Sequence, residues 1–228
     1  MNTAEFLSEL DVRIAKYDLL RHPFYKAWSA GELTLDDLRD YAQDYYHHVE
    51  AFPSYLAALA ERLENGETRR AVLANMADEK GGDNEVPHAE LWLDFAEGMG
   101  SDRSLEWHVP VGGVRQLIEH FENVARAGST EEALAAFYAY ESQVPRVAKE
   151  KECGLRAMYS ANDKTCGYFT LHATADVYHS QVWRKQLEKR VAAHPETAEN
   201  ALDAAEHAAQ ALWRALDGIQ ARRMAKAA

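Results

Sequence analysis

The segment HATADVYH, residues 172–179, sets two imidazoles and a carboxylate at steps of four and three residues. Steps of four and seven return to nearly the same angular position on an α-helix. His172, Asp176 and His179 therefore share one narrow face across about two turns. Two imidazoles and a carboxylate in that arrangement can converge on one or two first-row transition metals. Phe169, Leu171, Ala173, Ala175 and Val177 are apolar or small, so the helix is predicted to be buried on most sides. A buried polar stripe then needs internal partners. The same pattern also suits a solvated stripe, or histidines hydrogen-bonded within a core. A metal reading requires further ligands from other helices.

Candidates stand at suitable places. The run DEKGGDNEVPHAELW supplies Glu79 at the end of one predicted helix and His88 at the start of the next. Gly81 and Gly82 let the chain bend so that both can face one site. Glu85 and His88 stand at i, i+3, a spacing used by di-iron carboxylate bundles, but Glu85 falls in a loop or first turn and ranks behind Glu79. Glu141 lies in the mostly apolar AFYAYESQVPRVA, where a carboxylate is costly unless paired or coordinated. Its alternative is a surface glutamate on a helix rich in tyrosine and alanine. Mixed oxygen and imidazole donors favour iron or manganese over structural zinc, which prefers thiolates.

The elements that must position these residues are helical almost throughout. Apolar residues recur at helical spacing, with only 12 glycines and 6 prolines in 228 residues. Helices are predicted over 3–19, 34–64 (with Pro53 as a kink), 67–79, 87–97, 112–126, 130–160, 163–193 and 196–224, with a short turn of helix around 23–28. Thr34 and the Ser129/Glu132 pair read as N-terminal caps, and Asn65-Gly66 as a helix stop. The expectation is an all-α bundle of about seven or eight helices, one domain over 1–228.

Composition bounds the partners. With 25 basic against 37 acidic residues the formal net charge is −12, which argues against nucleic acid or an anionic membrane as the main partner. No apolar run reaches the roughly 18–20 residues of a membrane span, and the acidic, amphipathic start does not read as a secretory signal. A cytoplasmic location is the expectation. Cys153 and Cys166 do not make a disulfide framework and read as reduced thiols.

Five runs in order, HPFYKAW (22–28), YAQDYYHHVEAFPSYL (41–56), HAELWLDFAEGMG (88–100), YAYESQVPRVAKEK (138–151) and HATADVYH, carry a family resemblance. The chain resembles the heme-oxygenase-like dimetal oxidases, and within them the group of the Chlamydia protein associating with death domains. That resemblance implies a seven-helix heme-oxygenase-like fold, a homodimer, and two non-heme metal ions, iron–iron or iron–manganese. It maps the ligands onto Glu79, His88, Glu141, His172, Asp176 and His179, with the stretch between Glu79 and His88 about two residues longer than in the chlamydial protein. It further implies oxygen-dependent formation of para-aminobenzoate for folate synthesis, using dioxygen and an external reductant, with one of the protein's own tyrosines consumed. The matching positions are Tyr25 and Tyr41, with Lys151 as the amine donor.

By residue type alone, Tyr25, Tyr41, Tyr45 and Tyr46 suit packing, and Lys151 in KEKEC suits a solvated surface. His47 and His48 cannot share a helical face, so one of them at most looks into a site. Tyr41 and His48, at i, i+7, can share one. The other functions the sequence leaves open are an oxidase acting on a separate small molecule, a thiaminase-like hydrolase using a cysteine, and a non-enzymatic death-domain binder.

Overall fold

The computed structural model describes residues 1–82 and 85–226. Among the described residues there are ten α-helices, two short 3-10 turns and no strand. The helices are α1 (Thr3–Ala15), α2 (Pro23–Ser29), α3 (Leu35–Arg62), α4 (Glu67–Glu79), α5 (His88–Gly98), α6 (Gly112–Ala127), α7 (Thr130–Glu141), α8 (Val144–Met158), α9 (Asp163–Ala193) and α10 (Ala198–Lys226).

Side-chain caps set several starts. Thr34 Oγ1 accepts from the Asp37 amide at 3.1 Å while the Asp37 carboxylate accepts from the Thr34 amide at 2.8 Å. Ser129 and Glu132 form the same reciprocal pair at α7, and Asn162 caps α9. Each such cap satisfies amides that have no partner within the helix and is worth about 1 kcal/mol.

The helix count exceeds the expected seven or eight because the predicted 130–160 helix is two helices and the short turn expected around 23–28 is the seven-residue α2. Pro145 offers no amide hydrogen to the Glu141 carbonyl, and its ring crowds that carbonyl. The chain therefore breaks between α7 and α8, which leaves Glu141 as the last residue of α7. The helix predicted over 3–19 stops at Ala15, and Asp18 caps a 3-10 turn over Leu19–Arg21.

The long helix α9 packs against α5, α7 and α8, while α3 packs against α4, α5 and α6. Alanines on α7 (Ala133, Ala136) and α10 (Ala201, Ala205, Ala208) are fully buried and keep that helix pair close. A Cβ built on Gly98 would lie 2.3 Å from Thr165 Oγ1, so only glycine lets the end of α5 meet the start of α9. His22 ties α2 into the fold. Its Nδ1 accepts from the Phe24 amide at 3.1 Å, and its Nε2 lies 3.1 Å from the Asp217 carboxylate on α10.

Aromatic side chains fill the centre. Trp28, Trp92, Trp183, Tyr41, Phe95 and Phe169 are fully buried, each worth roughly 2–3 kcal/mol by area. Trp92 Nε1 donates to the Ala42 carbonyl at 2.8 Å, pinning α5 to α3. Among the described residues no helix is long and apolar enough to cross a membrane. Both cysteines are free thiols, Cys166 buried and Cys153 exposed.

Candidate metal centre

The carboxylates and imidazoles singled out in the sequence meet inside the bundle. Glu79 is the last residue of α4, His88 the first of α5 and Glu141 the last of α7. Three helix ends thus point at the middle of α9, where His172, Asp176 and His179 face inward. All six side chains are buried, none more than 6% exposed. The turn at Gly81, with φ +72°, brings Glu79 and His88 together, and a Cβ there would strike the Glu85 carbonyl at 2.4 Å.

The donor atoms form two overlapping groups. Glu79, His88 and His172 make one, and Glu79, Glu141, Asp176 and His179 the other, with the atoms of each group lying within 4.8 Å of one another. Glu79 belongs to both, which is the geometry of a carboxylate able to reach two ions. His172 Nδ1 donates to the Tyr168 carbonyl at 2.7 Å, leaving Nε2 as its free donor atom. His179 turns the other way, with Nδ1 3.3 Å from Asp176 and 3.8 Å from Glu141. Its Nε2 lies 3.0 Å from Asp78.

These residues fit a pair of first-row metal ions. Three carboxylates and three imidazoles, with no thiolate, are the donor set expected for iron or manganese. His88 Nδ1 lies 2.8 Å from Glu79 Oε2, yet the pair lacks hydrogen-bond alignment. Both residues belong to the same candidate ligand group, with His172. Glu141 is held by donors on its far side, Asn75 Nδ2 to Oε1 at 2.9 Å and Trp183 Nε1 to Oε2. Such outer partners orient a ligand and tune it.

Protonation shows how tightly charge is packed here. Burial and the neighbouring Asp176 carboxylate push the Glu141 carboxyl well above its ordinary range. Burial acts to lower His179, but Asp176, Glu141 and Asp78 outweigh it and carry the imidazole up to about 10. Burial acts to raise Glu79, but His88 beside it holds the carboxyl below its ordinary value. The cluster thus binds protons to offset its carboxylates, and those are the protons a bound cation displaces.

A second cluster lies beside the first. Lys151, on α8, is 6% exposed rather than solvated. Its Nζ donates to Tyr25 Oη at 2.8 Å and contacts Tyr41 Oη, and the two phenol oxygens are 3.0 Å apart. The nitrogen sits 4.2 Å from the Tyr25 ring centroid and 4.6 Å from that of Tyr41. Burial drives the Lys151 amine well below its ordinary value, so that it is held toward the neutral form. Burial also raises both phenols. The cavity around Lys151 holds about 20 Å³ of free space, room for about one water.

Tyr140 and Tyr168 line both this cavity and the one among Glu79, Glu141, His172 and Asp176. Neither was singled out from the sequence, nor were Asn75, Asp78 and Trp183. Helical spacing carried the signal. Tyr168 precedes His172 by four residues, Trp183 follows His179 by four, Asn75 precedes Glu79 by four, and Tyr140 adjoins Glu141.

Other candidates lie elsewhere. Glu85 is exposed. His48 sits fully buried against Tyr45, Phe52, Phe121 and Tyr140, and burial pulls it down to about 3. His47 stacks on His108 on another side of α3. Neither Cys153 nor Cys166 lines the cavities around Lys151 and the candidate ligands.

Residues 39–213 match a family described as iron-containing redox enzymes. The chain is 36% identical over 216 residues to a 4-aminobenzoate synthase of Chlamydia trachomatis, covering 94% of this chain and 91% of that one. It is 37% identical over 230 residues to a 4-aminobenzoate synthase of Nitrosomonas europaea, covering 96% and 92%. A crystal structure from Shewanella denitrificans, a domain of unknown function with a heme oxygenase-like fold, superposes with a TM-score of 0.81. It is 15% identical, with 98% of this chain and 94% of that one covered. At that identity the likeness establishes the heme oxygenase-like fold.

Proposed function

The chain belongs to the family of iron-containing redox enzymes, and on that premise we propose that it makes 4-aminobenzoate from one of its own tyrosine side chains. The observation that carries this reading is Lys151. Its nitrogen is buried against the oxygens of Tyr25 and Tyr41, in a cavity too small to admit a free aromatic substrate.

The product has the carbon framework of a tyrosine side chain, a ring and one para carbon. To reach it, an amine must replace the phenol oxygen, the Cα–Cβ bond must break, and Cβ must be oxidised to a carboxylate. If Lys151 is the amine source, its Cε–Nζ bond breaks as well. The oxidant is dioxygen, with an external reductant supplying the remaining electrons.

Glu79, His88 and His172 would hold one non-heme ion, and Glu79, Glu141, Asp176 and His179 the second, iron with iron or iron with manganese. When bound, such ions supply redox equivalents and activate dioxygen, chemistry that no side chain provides. The remaining work falls to the chain itself. Burial shifts the Lys151 amine toward its neutral form, the form with a lone pair able to attack carbon. Hydrogen bonds hold that amine at the carbon end where the phenol oxygen must be replaced. Phe24, Trp28 and Trp92 pack around Tyr41 and exclude water from it. Tyr140 and Tyr168, held protonated by burial, line both cavities and offer oxidisable groups between the two clusters.

The test is to produce the protein on ring-labelled tyrosine, load it anaerobically with ferrous and manganous ions, and add reductant and dioxygen. Labelled 4-aminobenzoate at about one per chain is expected, with a matching mass loss at Tyr25 or Tyr41. Tyr25→Phe and Tyr41→Phe should each reduce or redirect that loss. Unlabelled product, or many products per chain, would point instead to an oxidase acting on a separate small molecule.

A further inference from the structure

The six candidate ligands are sealed from solvent, so an ion cannot reach them unless some part of the wall admits it. A cleft along the seam of α4 and α9 reaches one of them, His179. Ala74, Asn75 and Asp78 from α4, with Tyr178, His179 and Trp183 from α9, line this cleft, which holds about 70 Å³ of free space.

Two side chains span the wall. Asn75 donates its Nδ2 inward to Glu141 Oε1 at 2.9 Å, and its Oδ1 has no partner although the residue is only 3% exposed. His179 turns Nδ1 inward to Asp176 and Nε2 outward to Asp78, at 3.3 and 3.0 Å. The half-exposed Asp78 carboxylate stands at the mouth. The cleft therefore offers a carboxylate and an unpaired amide carbonyl, hard oxygen donors suited to a divalent cation shedding part of its water. The other cavity beside the site leads to Lys151 and has an amine and phenols but no carboxylate or amide side chain in its lining, so it gives a cation no anionic donor in exchange for lost hydration.

We propose that the α4–α9 cleft is the port through which divalent metal loads the site. Asp78 and Asn75 receive the ion, and His179 exchanges its Asp78 hydrogen bond for the incoming charge as it gives way. The proposal rests on the reading of Glu79, His88, Glu141, His172, Asp176 and His179 as a metal centre.

The test follows uptake of cobaltous ion by the full-length, metal-free chain, read as visible absorbance in a stopped-flow instrument. Ala74→Arg places bulk and positive charge at the mouth on an exposed helical position. Ala193→Arg makes the same charge change at the far end of α9. Ala74→Arg should slow uptake at least about fivefold, and release by a similar factor, with the final metal content unchanged. Ala193→Arg should load at the wild-type rate, and Asp78→Asn more slowly than wild type. Loading of Ala74→Arg at the wild-type rate to full content would overturn the port. Wild-type chain that takes up no cobalt would overturn the metal centre itself, a distinguishable failure.

Discussion

Replacing Lys151 by methionine should make the protein more stable near neutral pH, and the gain should shrink as pH rises. The folded amine has its pKa pushed down by burial alone, whereas in the unfolded chain it titrates near 10.4. Between the folded and unfolded values the unfolded state binds one more proton than the folded state. Wild-type stability then rises with pH at about 1.4 kcal/mol per unit from this group. The full contribution is present above about pH 10.4 and is lost progressively as pH falls to the folded pKa. Methionine has similar length and no proton to lose, so the difference between the two proteins isolates Lys151 while other titrations cancel. Loss of the hydrogen bonds to Tyr25 and Tyr41 adds an offset of about 1–2 kcal/mol. That offset is nearly independent of pH below the phenol range, because Tyr25 and Tyr41 still bond to each other.

Anaerobic urea unfolding of metal-loaded wild type and Lys151→Met at pH 7, 8, 9 and 9.5 reads the difference. The expected result is a relative gain by wild type of about 1–1.4 kcal/mol for each unit above pH 8. A flat difference would mean that the folded amine stays charged like a surface lysine. It could not then act as the nucleophile assigned to it.

Two further changes probe the scaffold. Trp183→Phe keeps the ring but removes the indole donor to Glu141, and should weaken manganous ion binding about 10–100-fold by equilibrium dialysis. Unchanged affinity would show that Asn75 alone suffices to orient that carboxylate. Gly98→Ala drives a methyl into Thr165, and should lower stability by about 1–3 kcal/mol, seen as a lower thermal midpoint. Pairing it with Thr165→Ala should recover much of the loss.

The stripe on α9 was legible because three polar residues on one helical face among apolar neighbours have few satisfied alternatives. Glu79 and His88 could be placed from the glycines between them, which mark a turn joining two helix ends. The break after Glu141 was harder to see. Pro145 was visible, but a proline near a helix start and one inside a helix look alike in sequence, and Pro53 is indeed accommodated within α3. Lys151 was the least legible residue. KEKEC has the composition of a solvated turn of helix, and its middle lysine is buried by α2 and α9 packing on α8, with Tyr41 and Tyr45 of α3 against its nitrogen. Likewise, Tyr41 and His48 lie at a spacing that permits a shared cluster, yet His48 packs against Tyr45 and Tyr140. The helical period says which residues can face the same way, and the neighbours decide what they meet.

The two clusters make opposite electrostatic demands. Around α9 three carboxylates are buried together, and the site is stable only with protons or cations added. Around Lys151 an amine is buried among aromatic rings, and the site favours losing its proton. Placed in direct contact, the carboxylates would hold the lysine charged and useless as a nucleophile. The amine in turn would compete with metal for the carboxylates. Tyr140 and Tyr168 prevent this by occupying the intervening space with neutral phenols. A phenol is apolar enough to insulate charge, yet it can give up an electron and a proton to a strong oxidant, which phenylalanine cannot. On the proposed reading, the same two residues keep the clusters apart at rest and connect them during reaction.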